Sequence, residues 1–174
     1  MTRWVRVWDP LVRIGHWLLV AGVVAAWVTR HSTSSWHERL GYLVLGIVAL
    51  RIVWGWTGST YARFASFVSS PSGTFNYARQ LIARSEPRHV GHNPLGGWMI
   101  VALLLTITAV CVTGWLYTTD RFWGVEWVET THSMLTDLLM ILVGLHLCGV
   151  LYSTYRHREN LIASMLHGRK REID

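Results

Sequence analysis

The sequence predicts an all-α integral membrane protein: a four-helix bundle of four transmembrane helices with both termini in the cytoplasm. Three observations predict it. The 174 residues are 51% apolar and only 15% charged, against roughly 25% charged in an ordinary soluble domain. The apolar residues gather in four blocks of 19 to 25 residues, and about 20 helical residues cross a ~30 Å hydrocarbon layer. The bases are divided unequally between the segments that join the blocks. Four such blocks leave too little polar surface to cover them in a soluble fold. The same apolar content excludes a disordered chain. A disulfide scaffold is excluded because both cysteines, Cys111 and Cys148, sit inside apolar runs.

The first span covers about residues 11–29. Arg13 and His16 interrupt what would be the apolar core of a signal peptide, and Ala25-Ala26-Trp27 is a poor cleavage site, so this span is expected to stay. The second covers about 36–56. A loop, 57–93, follows, in which Ser70-Pro71 reads as an N-cap with proline at the first helical position. Phe75, Ala78, Leu81 and Ile82 then share one face, which predicts a short amphipathic helix on the inner membrane surface. His92-Asn93-Pro94 opens the third span, about 95–117, which has no charged residue between Pro94 and Asp120. The fourth covers about 130–154, and 155–174 is a tail. The whole chain, 1–174, reads as one domain.

Orientation follows from the bases. Residues 1–13, 51–93 and 156–174 hold thirteen Lys and Arg; the other side has only Arg30, Arg39 and Arg121. This asymmetry places both termini and the 57–93 loop in the cytoplasm, and the loops near 30–35 and 118–129 outside. Trp27, Trp36, Trp54, Trp56, Trp98, Trp115 and Trp127 lie near span ends and form aromatic belts. Membrane lipid is therefore a partner, and Gly168-Arg169-Lys170-Arg171 suits an anionic inner leaflet. The expected location is the bacterial cytoplasmic (inner) membrane, multi-pass. The net charge of +6 belongs to that topology, and no nucleic-acid partner is expected.

Four of the nine histidines fall on spans: His16, His37, His132 and His146. An ionisable group within a span is costly and points to function. His132 and His146 are 14 residues apart, which on an α-helix is ~21 Å and nearly four full turns, so they share a face. His16 starts near the inner surface, level with His146, and His37 near the outer surface, level with His132; His31 competes with His37. Zinc asks for four ligands, usually including Cys or carboxylate. Two imidazoles per level instead suit haem iron, which takes one axial ligand on each face. Gly15, Gly41, Gly144 and Gly149 lie close to these histidines, and Gly114 is on the third span. No Cys-x-x-Cys-His occurs, so two non-covalent haem b groups are expected. Their irons would lie ~20 Å apart.

Arg51 is 14 residues after His37, Arg13 one turn before His16, and Arg39 close to His37. Each is a candidate for a haem propionate, and each is equally placed to snorkel to lipid phosphate. Apart from Glu38 at the outer end of the second span, Asp137 is the only acid within a span; it can relay protons, pair with an Arg, or bond to a hydroxyl or water.

These residues resemble the bacterial cytochrome b561 family, which includes the b-type cytochrome subunits of nickel–iron hydrogenases and thiosulfate reductases. The matching stretches are Val7-Trp8-Asp9-Pro10-Leu11-Val12-Arg13, Gly15-His16-Trp17, and His37 to Gly41 leading to Arg51 and Trp54-Gly55. Further on come Tyr61-Ala62-Arg63-Phe64, Gly91-His92-Asn93-Pro94-Leu95-Gly96 and Thr113-Gly114. The His132–His146 pair, Glu159-Asn160-Leu161 and Gly168-Arg169-Lys170-Arg171 complete the set. Ser133 follows His132 where the family usually has an acid, which leaves the subgroup open. The resemblance implies two haems ligated by His16, His37, His132 and His146. It also implies electron transfer between membrane quinone or quinol and a periplasmic redox protein, such as a c-type cytochrome or a dehydrogenase subunit. The rival readings are a stand-alone superoxide:quinone oxidoreductase and, from another class, a metal or proton transporter. The outer loops hold more acids (Glu38, Asp120, Glu126, Glu129) than bases, which disfavours steering an anion to that face.

Overall fold

Three of the four prolines start helices, each behind a side chain that caps the first turn. A proline at the first helical position has no amide hydrogen to leave unsatisfied, and the residue before it can accept from the third amide. In the computed structural model, Asp9 Oδ1 accepts from the Val12 amide at 2.9 Å, Ser70 Oγ from Gly73 at 3.2 Å, and Asn93 Oδ1 from Gly96 at 2.7 Å. These caps open α1 (Pro10–Thr29), α4 (Pro71–Ile82) and α5 (Pro94–Tyr117). The other elements are β1 (Trp4–Arg6), α2 (Trp36–Thr57), α3 (Phe64–Phe67), α6 (Glu126–His157), α7 (Leu161–His167) and β2 (Arg169–Arg171). The structure describes residues 3–32 and 35–172. Thr33 and Ser34 of the first outward loop, and Ile173 and Asp174 of the tail, lie outside the described residues, as do Met1 and Thr2.

Among the described residues, helices α1, α2, α5 and α6 are the four long and apolar enough to span a membrane. The fourth runs four residues earlier and three later than the apolar block 130–154. Hydropathy misses these ends because they are charged, and the charges suit them. Glu126 and Glu129 lie in the first turn, Arg156 and His157 in the last, where the helix dipole favours acids and bases respectively. Large apolar side chains such as Val24, Leu43, Val53, Leu105 and Ile141 point outward and exposed, as lipid as solvent requires.

The described residues divide into two compact units. One is built from Ile14–Ile52 and Ala102–Val143, pieces of the four spans. Its packed residues are Val44, Val48, Leu104, Ile107, Val128 and Leu139, with Thr106 the buried polar member.

The other unit combines Met1–Arg13, Val53–Val101 and Gly144–Asp174, and it is rich in polar bonds. Strands β1 and β2 pair antiparallel, Trp4 opposite Arg171 and Arg6 opposite Arg169. This two-stranded ribbon is absent from the all-α expectation, because strands of three residues leave no period to read. It also corrects, at Lys170 alone, the reading that Gly168-Arg169-Lys170-Arg171 suits an anionic leaflet, since Arg169 stays exposed. Side chains alternate along a strand, so Lys170, only 4% exposed, turns inward. Its Nζ lies 3.7 Å from Glu159 Oε2 and donates to the His89 carbonyl at 3.3 Å. Glu159 also accepts from Arg88 at 2.9 Å and from the Arg171 amide at 2.8 Å. Glu86, its side chain fully buried, accepts from Arg156 at 3.0 Å and Tyr152 at 3.3 Å.

Burial pushes the Glu159 carboxyl toward protonation, but the Arg171 amide, Arg88 and Lys170 outweigh it and hold its pKa below the usual range. Glu86 is likewise held low despite burial, by backbone bonding and by Arg156 and Tyr152. Asp9, held low by the Ser59 hydroxyl, the Val12 amide and the Trp54 indole against the effect of burial, ties three segments together. Helix α7 is capped by Asn160, which accepts from Ala163 at 2.9 Å, and ends at Gly168 with φ 81°, a left-handed conformation that glycine adopts without strain. The Trp8 indole donates to Ser164 Oγ at 3.3 Å, across 156 residues of chain.

Helix α4 forms where the N-cap predicts it, and Phe75 and Ile82, seven residues apart, share one open face, as expected of an amphipathic helix on a membrane surface, with Tyr77 on the other. Tyr77 is buried, whereas Phe75 and Ile82 are exposed. The outward residues Pro71, Thr74, Phe75 and Ala78 form, with Leu95 and Trp98, a shallow groove of ≈ 410 Å³.

Candidate functional site

His37 lies at the second position of α2 and His132 in the second turn of α6. Their ring centroids are 6.2 Å apart and their planes cross at 87°. Each ring is held by its Nδ1. His37 Nδ1 lies 2.9 Å from the Ala26 carbonyl, near the end of α1. His132 Nδ1 lies 3.0 Å from the Val110 carbonyl and 3.1 Å from Thr113 Oγ1, both on α5. A carbonyl oxygen only accepts, so both Nδ1 atoms carry the hydrogen, and in the neutral rings both Nε2 atoms carry a lone pair. Thr113 donates its own hydrogen along α5, to the Ala109 carbonyl at 2.8 Å, so its oxygen is left to accept from His132. Metal-binding histidines are oriented this way, with the second nitrogen donating to a carbonyl.

The spacing can be tested against a ligand. A metal–imidazole bond is about 2 Å and each ring nitrogen stands about 1 Å from its ring centre, so two imidazoles on opposite sides of one metal have centroids about 6 Å apart. The 6.2 Å separation meets that condition. The glycines nearby divide into two roles. A Cβ on Gly114 would come within 3.0 Å of His132 Cε1, so glycine there lets the imidazole lie against α5. A Cβ on Gly41 would meet nothing within 4 Å, so the surface of α2 one turn beyond His37 is bare enough to take a flat ring. Among the described residues no three of His, Cys, Asp and Glu gather closely enough to hold a metal by themselves. Two imidazoles at this spacing beside an open flank could hold haem iron, and do not fit a protein-only zinc cage.

His16 and His146 are both half-buried, on α1 and α6 respectively. The His16 ring meets Trp17 edge-on at 5.2 Å. The two histidines belong to different units. Of the arginines, Arg13 donates to the Leu166 carbonyl, which ties α1 to α7. Arg39 is exposed, its guanidinium 5.6 Å from the Trp36 ring centre. Arg51 is half-buried on α2. His31 lies in the exposed turn after α1. Asp137 is exposed, on the side of α6 away from His132.

Sequence reasoning found the paired imidazoles but not what holds them. Ala26 and Val110 act through backbone carbonyls, which carry no side-chain signal. In the sequence Gly114 reads as a small residue making room for a porphyrin and Thr113 only as part of a motif; that they seat the His132 ring depends on how α5 and α6 are set against each other.

Two comparisons bear on this arrangement. The model of the prokaryotic cytochrome b561 family matches residues 7–168. A probable Ni/Fe-hydrogenase B-type cytochrome subunit of Rhizobium leguminosarum bv. viciae is 21% identical over 211 residues, covering 95% of this chain and 88% of the relative. No solved structure matches the chain. With four membrane-spanning helices, an imidazole pair spaced for haem iron, and a family match over almost its full length, the chain is a multi-pass b-type cytochrome of electron transfer and belongs to the prokaryotic cytochrome b561 family.

Proposed function

We propose that the protein carries two non-covalent haem b groups and passes electrons across the bacterial cytoplasmic membrane, between quinone or quinol and a periplasmic redox partner. The observation that carries this reading is the His37–His132 pair, 6.2 Å apart with both Nδ1 atoms tied to carbonyls. The outer haem takes His37 and His132. The inner haem takes His16 and His146, the latter 14 residues beyond His132 and so on the same face of α6. When bound, haem supplies one-electron oxidation and reduction at iron.

The chain's residues do the rest. The Ala26 and Val110 carbonyls fix the tautomers and aim the Nε2 lone pairs, which makes the imidazoles better donors. Arg51, and less directly Arg13 and Arg39, provide positive charge for propionates. The excess of bases in 1–13, 51–93 and 156–174 supports an orientation with both termini inside. The relative described as a hydrogenase cytochrome subunit supports a partnership with a catalytic redox subunit.

Anaerobic mixing of the purified protein with a short-chain quinol tests the proposal. Expected are two extractable haems per chain and their reduction by quinol, seen as growth of the reduced absorbance bands. A protein with haem that quinol leaves oxidised, and that superoxide reduces instead, would turn the reading toward the stand-alone oxidoreductase. A protein with no haem bands would leave the transporter.

A further inference from the structure

Asp137 is the only Asp, Glu, Lys or Arg between Glu129 and Arg156 on α6. Eight residues beyond Glu129, it lies about 12 Å into the apolar stretch. It is five residues past His132, about 140° round the helix. His132, Leu139 and Val128 define the packed side of α6, Leu139 and Val128 being buried. Asp137 is exposed on the opposite side, among the exposed Met134, Leu138 and Ile141. No hydrogen bond or ion pair joins it to another described residue. A carboxyl group facing hydrocarbon is costly, and intramembrane acids nearly always pair inside a protein interface. The aspartate side chain is too short to reach the surface as Lys and Arg do.

We infer that the Met134–Asp137–Leu138–Ile141 face of α6 docks a membrane-spanning helix of a different chain, one that places a Lys, Arg or His at the depth of Asp137. Charge complementarity selects that occupant over a second copy. A symmetric pair of copies about an axis normal to the membrane would set Asp137 against Asp137. No other contact between copies supplies a base at that depth, because Arg13 and Arg39 sit in the first turns of their spans, Arg51 two turns from the end of α2, and the four span histidines are assigned to haem.

Photo-crosslinking in the membranes of the source bacterium tests this. A benzophenone amino acid replaces Ile141, with a control at the exposed Val24 of α1, and cross-linked peptides are identified by mass spectrometry. Expected is an adduct from position 141 with a membrane-spanning peptide of another protein that contains a basic residue, falling about fivefold in Asp137→Leu and Asp137→Asn and kept in Asp137→Glu. Asp137→Asn preserves shape and carries the test if Asp137→Leu fails to accumulate. The inference is overturned by adducts to lipid or to this chain only, by a partner peptide without a base, or by a yield that Asp137→Asn leaves unchanged.

Discussion

The two units handle polar groups in opposite ways. In the unit of Ile14–Ile52 and Ala102–Val143, the Ala26 and Val110 carbonyls and the Thr113 hydroxyl turn two imidazoles so that their Nε2 atoms are left for a ligand. In the unit of Met1–Arg13, Val53–Val101 and Gly144–Asp174, carboxylates and bases neutralise each other. Glu159 gathers Arg88, Lys170 and the Arg171 amide, and Glu86 gathers Arg156 and Tyr152. In the proposed function the first arrangement serves a cofactor; the second fastens strands, loops and helix ends to one another. Damage to the second should therefore register as stability, and damage to the first as ligand binding.

The largest separation is expected from Glu159→Gln. It leaves Lys170 buried without its counter-charge, and breaking one partner of a buried pair costs about 3 kcal/mol. Thermal unfolding in detergent should show a lower midpoint, while haem spectra below that midpoint stay unchanged. Acid should act on the same unit. Asp9, Glu86 and Glu159 all have folded pKa values below their unfolded ones. Their contribution is full above the unfolded carboxylate range, about pH 4.5, and is lost as pH falls through the lower folded values. Unfolding midpoints measured from pH 7 to pH 3 should hold down to that range and then fall, and Glu159→Gln should flatten the decline.

The other unit is probed by changes beside His132. Gly114→Leu places a side chain where Cε1 of the imidazole already lies within 3.0 Å of a Cβ. Haem affinity at this pair should drop about 100-fold, the upper end for loss of ligand orientation, with helicity by circular dichroism retained. Thr113→Val removes one acceptor and leaves the Val110 carbonyl, so its effect should be near the lower end, about 10-fold. Haem titration into the stripped protein measures both. A Gly114→Leu variant that binds haem normally would mean that His132 does not need its seat against α5.

The same contrast explains what the sequence discloses. Helix periodicity is local, so the shared face of His132 and His146, the four spans and the caps at Ser70 and Asn93 follow from neighbours in the chain. The cap at Asp9 is also local, but Trp54 and Ser59, which share its carboxylate, lie 45 and 50 residues on. Glu159 meets Arg88 across 71 residues and Trp8 meets Ser164 across 156. No periodicity encodes such pairs, and Lys170 therefore reads as a surface base until β2 turns it inward. The orienting carbonyls of Ala26 and Val110 are hidden for a different reason, since every residue has one.

The imidazole pairing is tested most directly by haem content and reduced-minus-oxidised spectra of His16→Ala, His37→Ala, His132→Ala and His146→Ala. Expected is loss of one and the same spectral component in His37→Ala and His132→Ala, with the other component lost in His16→Ala and His146→Ala. Retention of both components in His132→Ala, or a common loss in His37→Ala and His146→Ala, would contradict it.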